Sequence, residues 1–391
     1  MKRVLVLTAK ESEVPFILEA KKQGHYVITT GNNPSQVWHK YADEYVPFDY
    51  SDYEGLTELA RNLKIDAVFQ GCSDNCALSA AYVGEKLGLK GHDTFENAQI
   101  IHRKDKFKQF VKEYGIKSPV AESFSCREDA LLVADKLQYP VIIKPTNRAG
   151  GQGVGVATDR NSYAEKIRSA FDMSPAVVVE PYINGTLHSL DTFIIDGKVV
   201  AYGTANDYSY KNIYMTNTGL FPADNWEVAT KQLIPEVEKV AQTLGLVDGQ
   251  LHLQYIMSNG EAWIIEMMRR SPGNHFTDTL GTSIGLNWQA WVLRAEMGEN
   301  CNGIPRKTMP YRYYSYHSIM ADRNGVYGGY EIDDVMRTHI FQIEEWCSPG
   351  HVISDFTSDK FGSIQCYFDT QEEAHSFMKN INSLVKVCVV S

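Results

Sequence analysis

Over the first hundred residues, short β-branched runs alternate with stretches whose apolar residues recur every three or four positions. That is the pattern of parallel strands covered by helices. VLVLTA (4–9) predicts a strand, VPFILEAKKQG (14–24) a helix ended by Gly24, and YVITTG (26–31) a second strand. GLTELARNLK (55–64), IDAVFQG (65–71) and CALSAAYVGEKLG (76–88) continue as helix, strand and helix. The prediction for residues 1–102 is a Rossmann-like α/β unit. No G-x-G-x-x-G follows the first strand, so the topology by itself does not point to a dinucleotide.

Beyond His102 the pattern changes. A basic helix, RKDKFKQFVKEYG (103–115), is followed by Pro119 and then by short strands separated by glycine turns. The strands include YPVIIKP (139–145), AVVVEPYI (176–183), LDTFIIDGKVVAYG (190–203) and the pair LHLQYIMSNGEAWIIEMM (251–268). Asn259-Gly260 in the last pair is the strongest short hairpin signal. An α+β domain is expected over 103–300. A smaller, strand-rich α+β subdomain is expected over 301–391, with a late helix in TQEEAHSFMKNI (370–381).

Composition narrows the partners. The 391 residues, 43% of them hydrophobic, fill two or three packed units. A net charge of -10 provides no broad cationic field, so nucleic acid is not an expected partner and an anionic ligand needs a local basic site. Cys72, Cys76, Cys126, Cys301, Cys347, Cys366 and Cys388 are scattered without a C-x-x-C pair. They read as reduced thiols of a cytoplasmic protein. MKR followed by VLVLTA is too short for a signal peptide, and no apolar run approaches the ~20 residues of a membrane span, so no membrane partner is expected.

Several residues carry candidate chemistry. Lys106, in KDKFKQF, read alone is a solvated helix charge. Lys144 is different: it follows four apolar residues and precedes Pro145, so its ammonium emerges from a buried strand and needs a partner such as a phosphate oxygen. AGGQGVGV (149–156) begins five residues later, and Gly150, Gly151, Gly153 and Gly155 allow backbone N–H groups to approach an anion. Such a run also makes ordinary turns; Lys144 just upstream favours the phosphate. Glu180 ends another apolar strand and is followed by Pro181, Tyr182 and Ile183. It suits an adenine amino group or a ribose hydroxyl, or else it is a solvated strand-end carboxylate.

Counted outward from Asn259-Gly260, Gln254 and Glu266 are near cross-strand neighbours whose oxygens can share one cation, Mg2+ being suited to such hard donors. Arg269 and Arg270 follow. One of them can be a surface charge, while the other is placed to bind a phosphoryl group or a carboxylate bidentately. Asn274 and His275, just beyond, are candidate substrate contacts. Tyr208, Tyr210 and Tyr214 are weaker ones, equally readable as surface tyrosines.

Taken in order, the chain resembles the ATP-grasp superfamily. The shared features are a Rossmann-like leader, a D-K-x-x-x-K helix, a P-V-x-x-K-P strand, a G-G-x-G-V loop, an E-x-Y-I-x-G segment and an E-x-x-x-R-x-x-G close. The nearest branch is that of carboxylate-amine ligases and purine-pathway or carbamoyl phosphate synthetase-like members. The resemblance implies that Lys106 and Lys144 bind ATP phosphates. It implies that a lid subdomain spans 117–185, with Gly150, Gly151, Gly153 and Val154 folding over the nucleotide. Glu180, Tyr182, Ile183 and Ile265 would hold the base, Glu266 and Gln254 would hold Mg2+ or Mn2+, and Arg270 would steady the transferred phosphate. Three departures stand out. Leu187 occupies the place of a ribose-binding glutamate, so that contact either passes to His188 or is lost; Gln254 replaces the first metal glutamate; and Met268 replaces a metal asparagine.

The activity implied is ADP-forming ligation of a small-molecule carboxylate to an amine through an acyl phosphate, with Arg270 and Lys144 as the catalytic pair. A homodimer is admitted by the resemblance and is not legible in the residues. Two rivals are a nicotinamide dehydrogenase, disfavoured by the absent glycine fingerprint, and a non-catalytic nucleotide-binding scaffold, suggested by Met268 and Leu187. A third is a purine-pathway or carbamoyl phosphate-type enzyme with a different acceptor.

Overall fold

In a computed structural model of the chain, which describes residues 1–34, 36–148, 150–306 and 312–390, the N-terminal runs form a four-stranded parallel sheet. β1 (Arg3–Leu7), β2 (Tyr26–Gly31), β3 (Glu44–Pro47) and β4 (Ala67–Phe69) stand in the order β3-β2-β1-β4. From Val4 to Leu7 β1 is apolar because it is buried on both faces. Val4 and Val6 share a core with Phe16 and Ile17 of α1 (Val14–Lys22). Leu5 and Leu7 share another with Leu56 of α2 (Tyr53–Asn62) and Ala80 of α3 (Asp74–Leu87). β3 escaped sequence reading: it is a four-residue edge strand with no buried position to mark it.

α4 (Phe95–His102) and α5 (Lys104–Glu113) lead to a second, antiparallel sheet. It comprises β5 (Glu122–Phe124), β6 (Val141–Pro145), β7 (Gly155–Ala157) and β8 (Val177–Pro181), in the order β5-β8-β6-β7, with α6 (Arg127–Leu132) and α7 (Arg160–Met173). Alternation sets its two faces. Val141, Ile143, Val177 and Val179 pack on Tyr163 and Ile167 of α7. Lys144 and Glu180 therefore emerge together on the opposite face, Glu180 opposite Ile142 and Lys144 opposite Val178 in the register.

The rest of the chain contributes β9 (Thr186–Ile195), β10 (Lys198–Tyr208), β11 (Thr218–Phe221), α8 (Trp226–Leu244), β12 (Gly249–Ser258), β13 (Glu261–Met268), α9 (Phe276–Ile284) and α10 (Trp288–Glu296). After these come β14 (Tyr313–Met320), β15 (Gly325–Ile332), α11 (Asp334–Arg337), β16 (Ile340–Glu345), β17 (Val352–Ile353), β18 (Lys360–Phe368), α12 (Gln371–Leu384) and β19 (Val385–Val390). One eight-stranded sheet runs β13-β12-β9-β10-β11-β14-β18-β16, and a small one runs β17-β15-β19. The β12–β13 hairpin turns at Asn259 (φ 51°) and Gly260 (φ 80°), the left-handed pair that the Asn-Gly dipeptide favours.

The boundary expected at residue 300 cuts through this sheet, because β14, β18 and β16 extend it from β11. Nor is the N-terminal unit closed on itself. Phe276, Leu280, Trp288 and Val292 of α9 and α10 complete the core that includes Val4, Val6 and Phe16.

Candidate functional site

The free face of the lid sheet looks onto α5 and the β12–β13 hairpin. Glu180, 2% exposed, has one carboxylate oxygen 3.1 Å from Lys144 Nζ and the other 3.1 Å from Lys108 Nζ, which also donates to Ser118 Oγ at 2.8 Å. Burial would raise the Glu180 carboxyl, but Lys144 and Lys108 outweigh it and hold it below its ordinary value. Burial pushes Lys108 down to about 8, against the pull of Glu180. Two ammonium groups face one carboxylate in a place where unbalanced charge is costly, and an incoming phosphate would relieve the excess. Asp74, His102, Lys104, Ile265, Glu266 and Met268 line the same cavity.

The expected contact Lys106 points elsewhere, its Nζ on Gln99 Oε1 at 2.6 Å. Lys104 and Lys108, one helical turn apart on α5, are the lysines that face the cavity. Lys104 also donates to the carbonyl of Arg148, just before the glycine loop, at 2.8 Å. The spacing of apolar residues on α5 would have revealed this, since Phe107, Phe110 and Val111 define its buried side.

Ala149, the first residue of that loop, lies outside the described residues. Gly150, Gly151 and Gly153 all have positive φ, and a Cβ at Gly151 would stand 2.3 Å from Tyr214 Cβ. Only glycine allows this loop to seat on the 209–217 segment. Val154 closes the turn with a hydrogen bond to Gly151 O. Tyr182 and Ile183 line a separate open groove with Asn184, Ser258 and Trp263, and the Tyr182 N–H is held by Pro140 O.

Gln254 and Glu266 are direct partners in the hairpin register. Glu266 is half-buried and makes no hydrogen bond or ion pair among the described residues. Gln254 donates its amide N–H to Asp207 Oδ2 at 2.9 Å, and its carbonyl oxygen Oε1 has no partner among the described residues. Ser189 Oγ donates to the same Asp207 oxygen at 2.6 Å. Burial raises the Asp207 carboxyl to about 6, although Ser189, Gln254 and Thr216 pull it down. No motif marks Asp207. Its only signal in the sequence is a carboxylate near the end of a strand whose neighbours are buried. No group of three or more His, Cys, Asp or Glu side chains suited to a metal occurs among the described residues. An amide oxygen and one open carboxylate still fit Mg2+, which fills its octahedron with water and phosphate oxygens.

Neither arginine is at the surface. Arg269 is consumed by Asp93 (2.7 Å) and the carbonyls of Gln250 and Val247, and so ties the hairpin to the segment that leads into α4. Arg270 Nε is 2.9 Å from Asp74 Oδ1 at the start of α3, and Nη1 donates to Ser271 O. His102 accepts the Arg269 N–H through Nε2, so its Nδ1 carries the proton donated to Asp74. Burial would raise the Asp74 carboxyl, but Arg270 and His102 hold it far below its ordinary range.

Other expected contacts are placed differently. His188 cannot replace the ribose glutamate, because in β9 it stands opposite Tyr255, on the face of the sheet away from Ser189 and Gln254. Its ring stacks on Tyr255, Nε2 contacts Thr186, and burial lowers it to about 4. Asn274 is spent on Tyr316 and the Phe276 N–H. His275 is buried against Trp346, between Asp278 and Glu344. Tyr208 and Tyr210 stack on each other and reach His375 and Met378 O of α12, a packing role.

Two antiparallel sheets, closing over buried lysines and a carboxylate hairpin behind a parallel leader, resemble the arrangement of the ATP-grasp superfamily. Within it, residues 103–276 match the family described as carbamoyl-phosphate synthase L chain, ATP binding domain. Similar relatives include the carbamoyl phosphate synthase large chain of Thermotoga petrophila, 23% identical over 299 residues, or 74% of this chain and 27% of that protein. The arginine-specific large chain of Bacillus subtilis is 24% identical over 272 residues, 66% of this chain and 26% of that one. The chain therefore spans only a minor part of either relative. Among solved structures, the L-amino acid ligase of Bacillus licheniformis superposes with a TM-score of 0.81 at 20% identity, covering 100% of this chain and 99% of the other. The phosphoribosylglycinamide synthetase of Anaerococcus prevotii gives 0.80 at 19%, covering 100% of both. These likenesses show the fold. No helix among the described residues is long and apolar enough to cross a membrane.

Proposed function

We propose that the protein is an ATP-dependent carboxylate-amine ligase that forms an amide through an acyl phosphate and releases ADP and phosphate. The observation that carries this reading is the excess of positive charge around Glu180, within a cavity that also holds the open carboxylate Glu266. Lys144, Lys108 and Lys104 receive ATP phosphates, and the loop bearing Gly150, Gly151, Gly153 and Val154 covers them. Ile265 lines the base pocket, while Tyr182 and Ile183 stay in their separate groove. Gln254 Oε1 and Glu266 would hold Mg2+ or Mn2+, which neutralises phosphate charge during transfer.

Arg270 is held by Asp74 before any substrate arrives, so its guanidinium costs little reorganisation when the substrate carboxylate attacks the γ-phosphate. The acyl phosphate then meets the amine. Seating Gly151 on Tyr214 keeps water from consuming the intermediate. Location in the cytoplasm, small-molecule substrates and a homodimer belong to the same reading.

The test is incubation with Mg-ATP and hydroxylamine over a panel of amino acids, uronic acids and purine-pathway carboxylates. ADP together with an acyl hydroxamate is expected for at least one acid. ADP without hydroxamate sinks the acyl phosphate, and bound ATP with no carboxylate-dependent ADP indicates a scaffold.

A further inference from the structure

The hairpin presents an amide where a hard divalent cation gains more from a carboxylate, since the oxygen of Gln254 carries no net charge. The missing charge stands two strands further into the sheet, across β9. Gln254 on β12 is paired with Ser189 on β9, and Ser189 with Ala205 on β10. Asp207, two residues beyond Ala205, therefore shares their face. It is 9% exposed, and Gln254 Nε2 and Ser189 Oγ both converge on its Oδ2. Its other oxygen, Oδ1, is buried without a hydrogen-bond partner among the described residues.

We infer that Asp207 is a positioning residue for the metal: it fixes the Gln254 amide and returns to the site the negative charge that Gln254 lacks. The carboxylate has no proton to offer in its charged form, so it accepts only N–H. A flipped Gln254 would set an oxygen lone pair against Asp207, and the orientation that avoids this frees Oε1 for a cation shared with Glu266. The orphaned Oδ1 adds its field without taking up a donor. This inference rests on the metal-dependent reading above, and it assigns to this chain a transposed pair: charge at 207 and amide at 254.

Transposition makes a charge-swap test possible. Mn2+ binding is measured by the loss of the free-ion EPR signal in the presence of a non-hydrolysable ATP analogue, with thermal melting as the check on folding. Asp207→Asn permits either amide orientation and removes the charge, so Mn2+ affinity is expected to fall about tenfold, the effect usual for a group that orients a metal ligand. Gln254→Glu, which sets two carboxylates against each other, is expected to bind Mn2+ no better than the unaltered protein. The double variant Asp207→Asn with Gln254→Glu, which reverses the donor and keeps the net charge, is expected to regain affinity to within about threefold. A residue that merely tied β10 to β12 would give neither the loss nor the rescue, because the asparagine side chain of the single variant still accepts from Gln254. Unchanged affinity in Asp207→Asn, or no rescue in the double variant, overturns the inference. Should Asp207→Asn fail to fold, the double variant decides alone. An unaltered protein that binds no Mn2+-nucleotide overturns this inference and the proposed function together. The expected swap in a protein that makes no ADP would sink only the ligase reading.

Discussion

Lys104 and Lys106 stand two positions apart on α5 and answer to different surroundings. Two residues are a little over half a helical turn, so one faces the cavity and the carbonyl of Arg148 while the other meets Gln99. Lys104→Ala is expected to raise the KM for ATP about tenfold, the worth of one charge-assisted hydrogen bond, while Lys106→Ala leaves it within the error of the measurement. Equal effects in steady-state kinetics would remove this distinction. Glu180 was legible as a carboxylate at the end of an apolar strand. Its clamp between two lysines was not, because Lys108 comes from another element and only tertiary packing brings it there. Asp207 was invisible for the same reason: its importance lies in contacts with residues 18 and 47 positions away.

At the scale of elements, the strand patterns were read well wherever one face is buried. The Asn259-Gly260 turn set the hairpin register; counting made Gln254 and Glu266 near neighbours, and a bulge between Gln254 and Tyr255, which counting could not foresee, makes them direct partners. Parity along β9 could also have excluded His188, since its neighbours Leu187 and Ser189 face the other way. What the pattern could not convey is the partner of the glycine loop. The 2.3 Å approach of a Gly151 Cβ to Tyr214 makes that loop and the 209–217 segment a matched pair. Gly151→Ala is expected to leave the melting temperature nearly unchanged, because the core of the lid sheet is remote from the loop. The ratio of ADP formed to amide formed is expected to rise as water reaches the intermediate. A variant whose ratio stays at unity would show that this contact does not seal the site.

Across the whole molecule, units that the motifs separate are joined by buried polar groups. Glu296 at the end of α10 accepts hydrogen bonds from the Gln70 backbone N–H and side-chain amide, just after β4. Burial pushes its carboxyl from the ordinary 4.5 up to about 8, against those hydrogen bonds. Between these values the folded chain keeps a proton that the unfolded chain has released. Its contribution to stability is complete at the acid end and is lost as the pH rises towards about 8. Glu296→Gln should flatten that part of the profile in denaturant titrations across the window. A variant whose stability falls with pH as steeply as the parent's would assign the slope to other groups, such as the buried Glu13. The boundaries at residues 102 and 300 marked changes of sequence pattern rather than of packing, because the apolar faces of α9 and α10 are recognisable as buried without revealing which sheet they bury against.

The ion pair between Arg270 and Asp74 limits how this protein can be taken apart. A segment cut to residues 103–276 would keep Lys104, Lys108 and Lys144, the glycine loop and the hairpin, yet it would leave the arginine without its counter-ion and strip Phe276 of Val4 and Phe16. Transplanting that segment into another host, or recombining it between homologues, would require carrying the start of α3 along with it. The inheritable unit of chemistry here is longer than the unit that pattern matching recognises.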